Sequence, residues 1–112
     1  SNQSLMALWV TIYMSVMGNK GLSDACSLSY SGAHYLAQQL VATGKCAMAY
    51  DKPFFNEFAV KTTVPAQQVL EALLANGILG GVRIADDTLL VCVTEQRTKA
   101  QMDKFVETVT NI

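Results

Sequence analysis

The feature that most constrains this fold is an apolar run near the start of the chain, LMALWVTIYMSVM, at residues 5–17. It favours a helix that Asn2 or Ser4 can cap and that Gly18 is suited to end. A helix with one packed face shows an apolar stripe, whereas here apolar side chains surround the axis almost completely. The run is shorter than a membrane span and lacks the basic leader of a signal peptide. We therefore predict a helix that is covered on more than one side.

The apolar residues of this helix divide into two sets by helical spacing. One set shares a face that we expect to pack on the domain's own core: Leu5, Leu8, Trp9, Ile12 and Val16. The other set lies outside that face, where a small domain has little to cover it: Met6, Val10, Tyr13, Met14 and Met17. Uncovered apolar side chains favour association, so the sequence predicts self-association of this chain through the first helix.

Three further helices and four strands follow from spacing and turn residues. A second helix is expected after Gly21, with Ser23 as its cap and Gly44 at its end. CAMAY and FFNEFAVKT predict two short strands separated by a DKP turn, and Phe58 and Val60 face the core in the second one. The next helix places Pro65 in its first turn and ends at Gly77.

The C-terminal third predicts a hairpin and a last helix. ILGGVRI predicts a bent or edge strand, DD a turn, and LLVCV a central strand. Thr98 and Gln101 match a capping box that begins the last helix. The order α-α-β-β-α-β-β-α predicts an α+β fold, a two-layer sandwich with helices on one face of a small, mostly antiparallel sheet. Its length of 112 residues corresponds to a single domain, 1–112.

Composition excludes several kinds of site. A net charge of −1 and a pI near 5.6 provide no basic surface for nucleic acid or anionic membranes. Cys26, Cys46 and Cys92 are odd in number and widely spaced, which predicts buried thiols of a reducing compartment rather than a disulfide framework or a zinc site. His34 is the only histidine. It is expected to be a packing or surface residue rather than a general base, and no metal ligand is assigned.

Two polar clusters remain as candidates for chemistry. LLVCVTEQRTK gathers Thr94, Glu95 and Arg97 where a buried strand ends. The favoured interpretation is a strand-to-helix junction with Glu95 and Thr98 near the helix start, and the alternative is Arg97 binding a carboxylate or phosphate.

FFNEF and ILGGV raise similar choices. Asn56 and Glu57 are interpreted as the exposed side of an edge strand, or alternatively as cleft residues. The glycine pair of ILGGV permits close approach of a ligand or another chain. No catalytic or cofactor-binding residue is assigned. The candidate cleft-facing residues are Asn56, Glu57, Thr94, Glu95 and Arg97.

Six segments occur in an order that resembles a known family: SNQSLMAL, TIYMSVMG, AHYLAQQL, PFFNEFAV, GILGGV and LLVCVTEQRTK. Together they resemble the C-terminal domain of glycine decarboxylase, the P-protein of the glycine cleavage system, and in particular subunit 1 of its two-subunit bacterial form. The resemblance implies the small C-terminal domain of an aminotransferase-like, pyridoxal-phosphate-dependent fold. The connection from Val82 to Leu89 is shorter than is usual in the family, which leaves the interface details open.

The resemblance also implies an activity and partners. P-protein decarboxylates glycine with pyridoxal phosphate and passes the aminomethyl group to the lipoyl arm of H-protein, in the bacterial cytoplasm. In the two-subunit form the cofactor lysine belongs to the partner subunit. None of the lysines that we compared lies in a matching motif: Lys20, Lys45, Lys52, Lys61, Lys99 and Lys104. The resemblance therefore implies a fragment that is inactive alone and binds no cofactor, and that works with its own large domain, the partner subunit and H-protein.

Two other readings remain open at the level of sequence. The same small domain occurs in aminotransferases and cysteine desulfurases, and a free-standing α+β binding module would also accommodate the pattern. A chain that opens on SNQSL, without an initiator methionine, is expected to be part of a longer protein.

Overall fold

The computed structural model describes residues 1–112 and contains three helices and four strands. Their bounds, in chain order, are α1 Gln3–Ala42, β1 Cys46–Met48, β2 Glu57–Thr62, α2 Ala66–Ala75, β3 Val82–Ala85, β4 Thr88–Cys92 and α3 Lys99–Thr110. The predicted strands are all present, and the first two predicted helices form one long helix with an internal break. None of the helices combines the length and apolar character that crossing a membrane requires.

The four strands form one antiparallel sheet in the order β1-β2-β4-β3. β4 lies inside the sheet and β3 at its edge, as the sequence predicted. The prediction that Asn56 and Glu57 belong to an edge strand is wrong, because β2 is hydrogen-bonded to both β1 and β4. Phe58 and Val60 are buried, whereas Glu57 and Lys61 are exposed, so the predicted alternation is confirmed.

The core lies between one face of the sheet and the helices. Its fully buried centre contains Leu40 of α1, Leu73 of α2, Val109 of α3, and Val60 and Leu89 of the sheet. Each helix contributes a stripe of buried side chains: Ala33, Leu36, Ala37 and Leu40 from α1, Val69 and Leu73 from α2, and Met102, Phe105 and Val109 from α3. The structure is therefore the predicted two-layer α+β sandwich.

The N-terminal stretch of α1, residues 3–17, projects from this body, and we call it the arm. The prediction that its first face packs on the core is wrong. Trp9 is 69% exposed and Val16 is 80% exposed, and every buried residue of α1 lies between Ser29 and Leu40. The longest dimension of the molecule is 44 Å against 30 and 28 Å for the others, which fits an arm without cover.

Gly18 separates the arm from the rest of α1. Its φ of 66° and ψ of −179° are non-helical, in a region open mainly to glycine. The sequence correctly placed a break at Gly18, but Ser23 does not cap a new helix. It lies inside the helix, which resumes directly after Gly18.

The helix ends use the predicted capping residues. The Asn2 side chain accepts a hydrogen bond from the Leu5 N–H at 2.9 Å. At α3, Thr98 and Gln101 form the complete capping box. Gly77 ends α2 with a φ of 76°. Pro65 precedes the first residue of α2 and occupies its N-cap position.

A polar link ties α1 to α3 near the surface. The Tyr35 hydroxyl donates to Asp103, and the Lys99 ammonium lies 2.7 Å from the same carboxylate. These hydrogen bonds, Lys99 first and then Tyr35, hold the pKa of Asp103 below its usual value. Asp103 and Tyr35 together raise the pKa of Lys99. The link therefore fixes the start of α3 against α1.

The prediction of three buried thiols holds for one cysteine only. Cys46 is buried, and burial raises its pKa. Cys26 and Cys92 are exposed, so the prediction is wrong for both. Cys26 lies on the outer side of α1, and Cys92 points away from the helix layer because it pairs with the exposed Glu57.

Candidate functional site

A groove with a volume of about 610 Å³ lies beside the end of β4. It is bounded by the loop between α2 and β3, by the end of β4 and by the start of α3. Apolar side chains such as Met102 and Phe105 line its depth, and Glu57, Arg97 and Lys104 bring charge to it. A concave, mostly apolar surface with few polar groups is the usual form of a binding site.

The two glycines of ILGGV shape one wall of this groove through contacts within the chain. A Cβ on Gly80 would lie 2.2 Å from Leu73 Cδ1, and a Cβ on Gly81 would lie 2.3 Å from the Leu90 carbonyl oxygen. Gly81 also has a φ of 132°, which disfavours other residues. The pair is therefore required by close packing against α2 and β4, before any ligand is considered.

The cluster after β4 is a junction, as the favoured interpretation predicted. Thr94 accepts from the Gln96 N–H through its hydroxyl, and its carbonyl accepts from the Arg97 N–H at 3.1 Å. Thr98 then caps α3. Glu95 lies three residues before this cap and takes no part in the capping box. Of the cluster, Arg97 alone reaches the groove.

Asn56 and Glu57 meet Cys92 on the sheet face opposite the helices. The Asn56 side-chain N–H donates to Cys92 Sγ at 3.6 Å, and Glu57 pairs with Cys92 across the strands. Partial burial, and then the neighbouring Glu57 carboxylate, raise the pKa of the Cys92 thiol. Because the thiolate is the reactive form, this environment does not activate Cys92 as a nucleophile.

The five candidate cleft-facing residues therefore occupy different surroundings. Glu57 and Arg97 both line the groove, whereas Asn56, Thr94 and Glu95 do not. Sequence reasoning missed Gln101 and Lys104, which line the groove from α3. The available signal was that Gln101 and Lys104 stand three residues apart, on one side of the helix that starts just after Arg97.

His34 lies outside the groove, in an aromatic cluster. Its ring stacks on Phe54 at 4.0 Å between centroids, and the Tyr30 ring lies 3.9 Å away on a tilt. Its Nδ1 is buried without a hydrogen-bond partner. These contacts confirm the packing role predicted for His34. No three His, Cys, Asp or Glu side chains are grouped as a metal site would require.

Comparison with known proteins assigns the chain to a family. The model of the family described as the glycine cleavage system P-protein matches residues 1–109. The chain belongs to this family. The match covers all seven elements almost to the end of α3, so the resemblance read from the six sequence segments is confirmed.

Curated relatives of the P-protein family agree with this assignment. Glycine dehydrogenase (decarboxylating) subunit 1 of Chlorobium luteolum is 43% identical over 110 residues, which is 96% of this chain and 25% of the relative. The corresponding protein of Chloroherpeton thalassium is 44% identical with the same two coverages. The chain therefore spans about a quarter of the length of the curated relatives that it matches.

Solved structures show the same fold. A glycine decarboxylase (P-protein) of the glycine cleavage system, crystallised in inhibitor-bound form, superposes with a TM-score of 0.90 at 26% identity, over 99% of this chain and 26% of that chain. A NifS-like protein has a TM-score of 0.69 at 16% identity, over 82% of this chain and 29% of that chain. A phosphoserine aminotransferase from Cytophaga hutchinsonii also has a TM-score of 0.69, at 12% identity over 91% of this chain and 29% of that chain. The predicted aminotransferase-like fold is confirmed.

Proposed function

We propose that residues 1–112 form the small C-terminal domain of a glycine dehydrogenase (decarboxylating) subunit 1. The observation that supports this most directly is the 43% identity over 96% of the chain to a protein of that name. The structural likeness to a P-protein, with its TM-score of 0.90, supports the same assignment. The aminotransferase and NifS-like neighbours, at 12% and 16% identity, support the fold only. A free-standing binding module would leave the exposed arm unexplained.

In this proposal the complete enzyme decarboxylates glycine with pyridoxal phosphate and transfers the aminomethyl group to the lipoyl arm of H-protein. The cofactor supplies the electron sink. We infer that the side chains of residues 1–112 do not provide the lysine that holds it. Lys104, the groove lysine, donates to the Asn76 carbonyl at 2.7 Å, and Lys20 and Lys99 pair with Asp24 and Asp103 at the surface. We infer that the cofactor is held outside residues 1–112 and that this domain alone is inactive.

The proposed partners are the protein's own large domain, the second P-protein subunit and H-protein. The exposed arm is an argument for the large domain and the second subunit as partners, because a helix that is apolar on all sides needs covering from more than one direction. The assembled enzyme is proposed to work in the bacterial cytoplasm. Three free thiols, Cys26, Cys46 and Cys92, agree with a reducing compartment.

Within that assembly we propose that the rim of the groove faces the substrate cleft, with Glu57 and Arg97 as its members on this chain. Small domains of this kind close over bound substrate. Asn56, Thr94 and Glu95 are proposed to support the rim rather than form part of it, because their hydrogen bonds or positions belong to the strand end and the junction.

The proposed activity is tested with the full-length chain, its partner subunit and H-protein. Release of labelled CO₂ from carboxyl-labelled glycine, dependent on pyridoxal phosphate and H-protein, is the expected result. Release of alanine from cysteine, or amino transfer to a 2-oxo acid, without glycine decarboxylation would replace this proposal with the desulfurase or aminotransferase alternative.

Arg97 gives a sharper test of the rim. We expect Arg97→Ala to change stability and turnover little in the assembled enzyme, since the junction holds without its side chain. If the guanidinium instead orients a substrate carboxylate, turnover should fall by about tenfold or more with folding intact. Steady-state kinetics of Arg97→Ala distinguish the two outcomes. Lys52→Ala, which changes a lysine in the loop before β2, is the control.

A further inference from the structure

One backbone pair on the groove side of β4 has no partner. Alternate residues of an antiparallel strand direct their N–H and C=O groups to opposite neighbours. The Val93 N–H donates to the Asn56 carbonyl on the β2 side at 3.0 Å. Cys92, the residue before it, must therefore direct its N–H and C=O toward β3.

β3 does not reach far enough to meet them. The register pairs Val82 with Leu90, so continuing it by two residues would place Gly80 opposite Cys92. No backbone hydrogen bond joins those residues. The chain turns away at Gly81, whose φ of 132° departs from strand geometry, and the groove opens in the space that β3 leaves. The edge of the sheet is thus unpaired inside a concave surface.

Exposed apolar side chains flank this edge. Leu79 is 90% exposed and Val82 is 61% exposed, and both line the groove. Unpaired backbone groups beside exposed apolar side chains are what an incoming strand requires, since the backbone provides affinity and the side chains provide specificity.

The two sides of the groove differ in charge. Toward α3 the groove is lined by Met102, Phe105 and the basic residue Arg97. On the opposite face it is lined by Glu57 and Cys92. Neither Arg97 nor Glu57 forms a salt bridge within the chain. Because strand residues alternate between faces, the complementary strand alternates apolar or acidic residues with polar or basic ones.

We propose that this groove receives an added β-strand from the part of the same polypeptide that lies outside residues 1–112. The inference rests on the proposed function, in which this chain is about a quarter of the protein, as it is of the relatives it matches. A strand on the same polypeptide has a high effective concentration at the groove, which favours it over a separate peptide. It pairs with the Cys92 N–H and C=O and covers Leu79.

Hydrogen exchange in the full-length protein tests the inference at a single amide. Cys92 should exchange as slowly as Val93, whose N–H is already bonded to β2. A Cys92 amide that exchanges like an unbonded, solvent-exposed amide while Val93 stays protected overturns the proposal.

A matched pair of leucine variants tests the position of the strand. Leu79→Ser should speed Cys92 exchange by about tenfold or more, because a buried leucine contributes about 1.5–3 kcal/mol. Leu74→Ser is the control, since Leu74 is also exposed, at 60%, but lies on α2 outside the groove. It should leave Cys92 exchange unchanged. Equal effects of the two variants, or none, overturn the inference.

Two further measurements separate this proposal from its alternatives. Protection of Cys92 that persists on dilution supports a strand from the same polypeptide, whereas protection that disappears on dilution identifies a second copy and overturns it. Glycine decarboxylation is assayed on the same preparation. An active enzyme with an unprotected Cys92 amide contradicts the added strand alone, and a protected amide in a protein without this activity contradicts the proposed function alone.

Discussion

The two stretches of α1 differ both in composition and in surroundings. Residues 3–17 are as apolar as a protein core, yet nearly all of their side chains are exposed, whereas the stretch from Ser29 to Leu40 has fewer large apolar residues and contributes five buried positions. The second stretch has its apolar residues at helical spacing facing the sheet, and the arm has them on every side. Apolar content alone therefore does not predict burial within this chain. The arrangement of apolar residues does.

Truncation of one leucine in each stretch is the strongest test of this contrast. Leu40 is 0% exposed and Leu8 is 55% exposed. We expect Leu40→Ala to lower the free energy of unfolding by about 2–5 kcal/mol, because it leaves a cavity in the core. Leu8→Ala should change it by less than about 0.5 kcal/mol in the 112-residue chain. Urea denaturation measures both, and comparable losses would show that the arm folds against the body.

The arm should also control association. We expect the 112-residue chain to self-associate, and polar replacement of Met6, Val10 and Met14 to shift it toward monomer without unfolding it. Sedimentation velocity and circular dichroism provide the two readouts. The control replaces three exposed apolar residues outside the arm, Leu28, Tyr50 and Leu74. A wild-type chain that stays monomeric at high concentration would contradict this expectation.

The two helix caps test the same contrast between the arm and the body, with smaller expected changes in stability. Asn2 caps the arm and Thr98 caps α3, each through a side-chain oxygen. Thr98→Ala should cost about 1 kcal/mol of global stability, because α3 packs on the core. Asn2→Ala should fray the arm without lowering the global unfolding free energy, since the arm opens locally. Equal global losses in denaturant titrations would mean that the arm unfolds together with the body.

The smallest expected effect concerns pH. The pKa of Asp103 is lowered in the folded state. Its contribution to folding stability is therefore present above the pKa of an unfolded aspartate, near 3.9, and is lost as the pH falls below that value. The urea midpoint of the wild type should thus fall more between pH 5 and pH 3 than that of Asp103→Asn. The arm has no charged side chain between residues 3 and 17 and adds nothing to the difference. Urea midpoints that fall equally in the two proteins between pH 5 and pH 3 would refute this contribution of Asp103.

The sequence predicted the body well because its signals are local. The caps at Asn2 and Thr98 and the end at Gly77 depend on neighbouring residues and were confirmed. The strand order was harder, because β2 becomes an interior strand only through pairing with β4, thirty residues away. The surroundings of Leu5, Trp9 and Val16 could not be predicted from spacing, since packing of a helix face requires a partner surface in the right place.

The candidate site was predicted in part for the same reason. The junction at Thr94–Thr98 follows from capping chemistry, and the structure confirms it. That Glu57 and Arg97 line the same groove depends on the register of β2 with β4 and on where β3 stops, neither of which has a local signal. Exposure of Cys92 has the same origin, because the face of a strand that remains open is decided by the position of the helix layer.

A single residue, Gly18, determines the direction in which the arm leaves the body. A Cβ at this position would meet no atom within 4 Å, so the positive φ is what restricts it to glycine. A residue with a side chain would relieve that strain by returning to helical torsions, which would join the arm and the body in one straight rod. Replacement of Gly18 would then leave the body folded and change where the arm points. The angle at which this domain meets whatever holds the arm is encoded in two backbone torsions, so evolution can redirect the domain without rebuilding its core.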